Sequence, residues 1–171
     1  MTDPDLGPVV SSAHLADGPH PQVSEFEFGL IVARHSFDRW MVRAMTAAGY
    51  PELSPLDVLV LHTVRHRDRP KTLADICLVL NVEDTHTVNY ALKKLAGAGL
   101  IETGKQGKEK TASITEAGLA ACDRYRQIRD ELLLTGMDGL GAEVAEFSRL
   151  SALLRLMSGQ YDQAARAATT F

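Results

Sequence analysis

All six lysines of the chain fall in one window, at Lys71, Lys93, Lys94, Lys105, Lys108 and Lys110, although the formal net charge is -4. Five of them lie between Asn81 and Thr115, in NVEDTHTVNYALKKLAGAGLIETGKQGKEKTASIT. Ammonium groups gathered in this way suit a polyanion, and their neighbours suit a nucleic acid. His86, Asn89 and Tyr90 set an imidazole, an amide and a phenol beside Lys93 and Lys94. An amide can pair in two directions with an adenine edge, lysine can donate to guanine or phosphate, and a tyrosine hydroxyl can reach a phosphate.

Charge by segment points to the same region. Residues 1–22 hold three acids and no base, 23–53 four acids and three bases, and 116–171 eight acids and six bases. Residues 54–115 hold nine bases against seven acids, the one net-positive part of the chain. An excess this small shows where to look for a polyanion and proves nothing by itself.

The elements that must carry these groups are mostly helical. Residues 1–22, with Pro4, Pro8, Pro19 and Pro21 and few large apolar side chains, read as a disordered leader. Ser24 and Glu27 form a potential capping box, with Val23 and Phe28 as a hydrophobic staple, for a helix running to about Ala48. Its apolar residues cover most faces and so need cover on most faces. Ser54 and Pro55 open a second helix with Leu56, Leu59, Val60, Thr63 and Val64 inward. Residues 72–98 read as two helices joined by a tight turn, the arrangement of a helix-turn-helix.

Projecting residues 84–97 at about 100° per residue puts Val88, Ala91, Leu92 and Leu95 on the docking side. His86, Asn89, Tyr90 and Lys93 point away, with Thr87 and Lys94 at one margin and Thr85 at the other, while Asp84 caps the helix start. Two short runs, Leu100–Gly104 and Glu109–Ile114, then flank the turn Lys105-Gln106-Gly107-Lys108, a β-hairpin with a basic tip. Thr115 caps the helix that follows, with Glu116 in its first turn. A hairpin directly after a recognition helix is a wing, and Lys105, Lys108 and Lys110 are placed to follow phosphates or enter the minor groove.

The order LSPLDVLVLHTV, TLADICLVLN, THTVNYALKKLAGAGLI and ASITEAG resembles the MarR family of winged-helix transcription regulators over about residues 54–120. The resemblance implies a homodimer whose flanking helices intertwine and whose two winged helices read a pseudo-palindromic operator in double-stranded DNA. It also implies a small aromatic or phenolic effector between the dimerisation helices and the winged helix. The family's wing motif, Asp-x-Arg, falls on Gln106-Gly107-Lys108, so the basic residue is kept as lysine and the aspartate is replaced. Lysine lacks arginine's planar fork, which implies a weaker minor-groove contact.

The expected fold is therefore mainly α with a small β-hairpin, a winged helix-turn-helix flanked by long dimerisation helices. The divisions are a leader at 1–22, an N-terminal dimerisation helix at 23–53, the winged helix-turn-helix at 54–115, C-terminal dimerisation helices at 116–158, and a tail at 159–171. Phe26, Leu30, Phe37 and Met41 form one candidate dimer stripe. Leu150 and Leu154, with Val144, Phe147 and Met157, form the other. The candidate DNA-binding set is Thr85, His86, Thr87, Asn89, Tyr90, Lys93, Lys94, Lys105, Lys108 and Lys110.

Other chemistry finds less support. His62 and His66 stand at i, i+4, but no third ligand completes a metal site, so neither metal nor cofactor is expected. Cys77 lies on an apolar stripe, whereas Cys122, followed by Asp123 and Arg124, is expected near solvent. Trp40, Phe37 and Met41 read as core or dimer packing ahead of a ligand pocket. Neither a glycine-rich phosphate loop nor a GxSxG or paired-carboxylate motif occurs, so the chain does not read as an enzyme. The start lacks the pattern of a secretory signal, and a cytoplasmic protein is expected. Two readings survive: a dimeric sequence-specific DNA-binding regulator, with repression as its expected action, and a winged-helix module whose basic face binds an acidic protein. The acid-free face around Asn89 and Tyr90 favours the first.

Overall fold

The computed structural model describes residues 19–137 and 144–171, in two compact units, one ending at Ile128 and one spanning Arg129–Phe171. Most of the leader, residues 1–18, lies outside the described residues. Helix α1 spans Pro21–Ala47, so the chain is helical before position 22. Its N-cap is His20, and Pro21 takes the first position, where its fixed φ and missing N–H fit a helix start. Ser24 therefore lies inside the helix and is not its cap. The second half of α1 buries Met41, Ala44 and Met45, while Val23, Ile31, Val32 and Phe37 stay exposed.

Helix α2, Pro55–Arg65, starts at a complete capping box: Asp57 N–H donates to Ser54 Oγ at 3.3 Å, and Ser54 N–H donates to Asp57 Oδ2 at 2.7 Å. Its buried residues, Val58, Val60, Leu61, Thr63 and Val64, cover more of its circumference than the expected single stripe. Helices on several sides account for this, because α2 packs against α1, α3 (Leu73–Leu80), α4 (Thr85–Gly97) and α5 (Glu116–Ile128). Leu56 and Leu59, expected inside, are only half-buried.

Strand β1, Lys71–Thr72, precedes α3 and pairs with the hairpin of β2 (Ile101–Gln106) and β3 (Glu109–Ile114) in the antiparallel order β1-β3-β2. Two residues cannot show an alternating pattern, which is why β1 is invisible in the sequence. The wing is tighter than expected: Gln106 pairs with Glu109, leaving Gly107 and Lys108 as a two-residue loop. Gly107 has φ +64, a region in which two-residue hairpin loops favour glycine.

Helix α5 belongs to the core of the first unit, so that core does not stop at residue 115. It buries Ala121, Cys122, Tyr125 and Ile128, and Arg65 on α2 pairs with Asp123 at 2.6 Å. Gly118 lets α5 start against the segment that joins α4 to β2, because a Cβ there would stand 2.1 Å from the Leu100 carbonyl oxygen. Cys122 is fully buried, and burial pushes its thiol up to about 11, which overturns the expectation that it lies near solvent. Cys77 is buried as expected.

The second unit contains a six-residue π-helical segment, Arg129–Leu134, then α6, Thr135–Met137, and α7, Val144–Ala168. Phe147, Leu150, Leu153 and Leu156 on α7 are exposed. Among the described residues, no helix is long and apolar enough to cross a membrane.

Candidate nucleic-acid interface

The interface is built on α4. Asp84 caps it, accepting the His86 N–H at 2.9 Å, and the Thr87 hydroxyl donates to the Asp84 carbonyl at 2.8 Å. Val88, Ala91, Leu92 and Leu95 are buried and dock the helix, as the projection requires. The opposite side carries Thr85, His86, Thr87, Tyr90 and Lys93 into solvent, and Tyr90 is 71% exposed. No acid lies on this surface within α4.

The two margins of α4 differ. On one side Asn89, Lys93 and Ala96 line a cleft of about 550 Å³ whose other wall is the wing, with Thr103, Lys105, Lys110, Thr111 and Ala112. Strand alternation explains all of that wall except Thr111, which pairs with Gly104 and is out of step with the rest. Thr103 pairs with Ala112, and Lys105 with Lys110, so these side chains share one face of the hairpin. No carboxylate lines the cleft. Lys105 and Lys110 are direct cross-strand partners, an arrangement in which like charges repel. Lys108 occupies the loop tip and is exposed.

On the other margin, Lys94 turns away from solvent. Its ammonium lies 2.9 Å from Asp57 Oδ2 and also donates to the Glu52 carbonyl. The sequence places Lys94 among the DNA contacts, but its side chain is committed within the chain because a buried carboxylate stands within reach. Lys71 also departs from the cluster. It is 6% exposed, and its Nζ donates to the His66 and Arg69 carbonyls at 2.6 Å each. Lys71 thus closes the loop before β1 and reaches the cleft floor. Sequence reasoning misses Thr103, Thr111 and Lys71 as cleft residues; strand alternation could have found Thr103, while nothing local marks the other two.

The remaining candidates fall elsewhere. Phe26 and Leu30 are half-buried and Phe37 is 53% exposed, but Met41 is taken up in the core of its own chain and offers no surface to a partner. Leu150 is exposed and Leu154 half-buried on α7. A groove of about 800 Å³ runs between α1 and α2, lined by Leu30, Ala33, Phe37, Met41, Leu56, Leu59 and Val82, with Arg34 and Asp38 beside them. Trp40 lies outside it, its ring centroid 6.5 Å from that of Tyr125. His62 also packs on Tyr125, at 4.8 Å, and burial, then the charge of Arg65, lowers its pKa from the usual value. Among the described residues, no group of three His, Cys, Asp or Glu side chains could hold a metal ion, and His66 is exposed apart from His62.

Residues 53–118 match the family model described as a winged helix DNA-binding domain. No curated protein matches the chain in sequence. Among solved structures, a MarR-family transcriptional regulator from Rhodococcus sp. RHA1 superposes with a TM-score of 0.65 at 14% identity, over 79% of this chain and 93% of that one. A mutant MarR from E. coli complexed with operator DNA gives 0.65 at 17% identity, over 82% and 99%. CouR from Rhodococcus jostii RHA1 bound to p-coumaroyl-CoA gives 0.62 at 14%, over 77% and 90%. Residues 53–118 are thus similar to a winged helix DNA-binding domain, and the chain has the fold seen in MarR-family transcriptional regulators.

Proposed function

We propose that the protein is a homodimeric, sequence-specific transcriptional regulator, most simply a repressor, that inserts α4 into the major groove and lays its wing along the backbone or minor groove. One observation carries this reading. Lys105 and Lys110 oppose each other on the wing face that shares a cleft with Lys93, and no carboxylate lines that cleft. Opposed ammonium groups destabilise a hairpin, but a phosphate between them turns repulsion into attraction. Tyr90, His86 and Lys93 form the outward stripe that meets base edges and phosphates, and Asn89 reads from the cleft margin. The likeness in fold to a mutant MarR from E. coli complexed with operator DNA supports a DNA-binding reading.

Dimerisation is supported by apolar surface that the chain leaves uncovered: Val23, Ile31, Val32 and Phe37 on α1, and Phe147, Leu150, Leu153 and Leu156 on α7. A two-fold dimer would place its recognition helices about 34–36 Å apart, one turn of DNA. The groove beside Phe37 suits a small aromatic effector, a reading supported by the similar fold of CouR with p-coumaroyl-CoA and of BpsR from Bordetella bronchiseptica, whose DNA binding 6-hydroxynicotinic acid regulates. Selection from a random duplex library tests the proposal. Enrichment of an inverted repeat is expected, and no enrichment at low salt would favour a basic face that binds an acidic protein.

A further inference from the structure

We infer that Lys94 is a positioning residue that fixes the angle of the recognition helix against α2 instead of touching DNA. The inference rests on the DNA-binding reading above and concerns how α4 is held in register with the groove. The buried stripe of α4 is aliphatic and small, Val88, Ala91, Leu92 and Leu95, and such contacts are non-directional. They set the roll of the helix through packing alone, with no directional bond among them. A directional tie forms at the α2-facing margin. There Asp57 Oδ2 accepts both the Ser54 N–H, at 2.7 Å, and the Lys94 ammonium, at 2.9 Å. One oxygen thus joins the start of α2 to the last turns of α4, across 37 residues of sequence.

Lys94 also donates to the Glu52 carbonyl, so two of its three N–H donors are used inside the chain. The Asp57 side chain is 3% exposed and that of Lys94 is 32% exposed, which makes this pair far less screened than a surface bridge. Moving Lys94 to a phosphate would leave a buried carboxylate without its cation, which is unfavourable. Its neighbour Lys93 is exposed and lines the cleft, and among the described residues it makes no ion pair. Two adjacent lysines therefore have different work: Lys93 meets the polyanion and Lys94 aims the helix that carries it.

The test uses the full chain, a duplex enriched from the random library, and an unrelated duplex of equal length, each titrated across a salt series. Lys93→Ala should weaken both duplexes and lower the slope of log K against log salt by about one unit, the signature of one phosphate left unneutralised. Lys94→Met should weaken the enriched duplex by about tenfold or more, the scale of one mismatched base pair in a specific site. It should leave the unrelated duplex and the salt slope unchanged, and Lys94→Arg should restore binding. Asp57→Asn should reproduce the selective loss although it removes no cation. Ser54→Ala, which breaks the cap and keeps the pair, should lower the melting temperature and leave affinity intact; titration to stoichiometry corrects each variant for its folded fraction. A salt slope that falls by about one unit in Lys94→Met would overturn the inference while leaving the DNA reading in place. So would unchanged affinity in that variant, tighter binding by Asp57→Asn, or an equal loss in Ser54→Ala. A parent chain that binds no duplex would sink both readings.

Discussion

Helices α4 and α7 are both amphipathic, yet their apolar faces meet different fates. In α4 every aliphatic position of the docking stripe is buried by the same chain, and the polar face alone looks outward. In α7 Phe147, Leu150, Leu153 and Leu156 are exposed, and among the described residues of the helix none is buried. The comparison separates the apolar surface this chain buries by itself from the apolar surface it leaves exposed. The docking side of α4 is complete within the chain, which anchors the helix that carries His86, Tyr90 and Lys93. The apolar stripes of α7 and of the first half of α1 are unfinished, and Phe147, Leu150, Leu154 and Met157 keep the 3-4-3 spacing of a helix seam.

Substitutions on the two sides should differ in kind. Leu95→Ala removes a fully buried side chain from the finished side and should cost about 2–5 kcal/mol at any protein concentration, read from urea unfolding. Gly118→Ala should cost about 3 kcal/mol in the same assay, because the new methyl meets backbone that cannot rotate away. Leu150→Ala on the unfinished side should cost less and only through assembly. Sedimentation should show its dimer dissociating at higher concentration than the parent, by about tenfold for every 1.4 kcal/mol of weakened association. If unfolding of Leu150→Ala is independent of concentration and as costly as that of Leu95→Ala, the two sides are alike and the comparison fails.

The smallest effect concerns acid. His62 has a lowered pKa because burial, and then Arg65, disfavour its imidazolium form. The unfolded chain binds that proton below about 6.5, so stability from the neutral ring is complete above that pH and declines as pH falls towards the lowered folded value. Melting temperatures from pH 8 to 5 should show the decline, and His62→Leu should flatten it.

Much of the finished side was legible in the sequence because it depends on short-range pattern. The docking stripe of α4, the caps at Ser54 and Asp84, and the hairpin around Gly107 each follow from residues within one or two turns of one another. What escaped depends on distant partners. Lys94 could not be separated from the exposed lysines without Asp57, 37 residues away, and Lys71 could not be seen as buried without the carbonyls that receive it. Cys122 looked wet beside Asp123, but Asp123 is turned to Arg65 on another helix. At the start of α1, two signals competed, and proline at the first helical position prevailed over the Ser24 cap.

The central claim, that the lysines of the wing exist to meet phosphate, is tested most directly by the salt dependence of duplex binding. Compared with the parent, the triple variant Lys105→Ala, Lys108→Ala, Lys110→Ala should bind every duplex more weakly, and its slope of log K against log salt should be shallower by about 0.9 for each phosphate that the wing no longer neutralises. An unchanged affinity and an unchanged slope would contradict the claim and leave the wing lysines as a solubilising surface on an acidic chain.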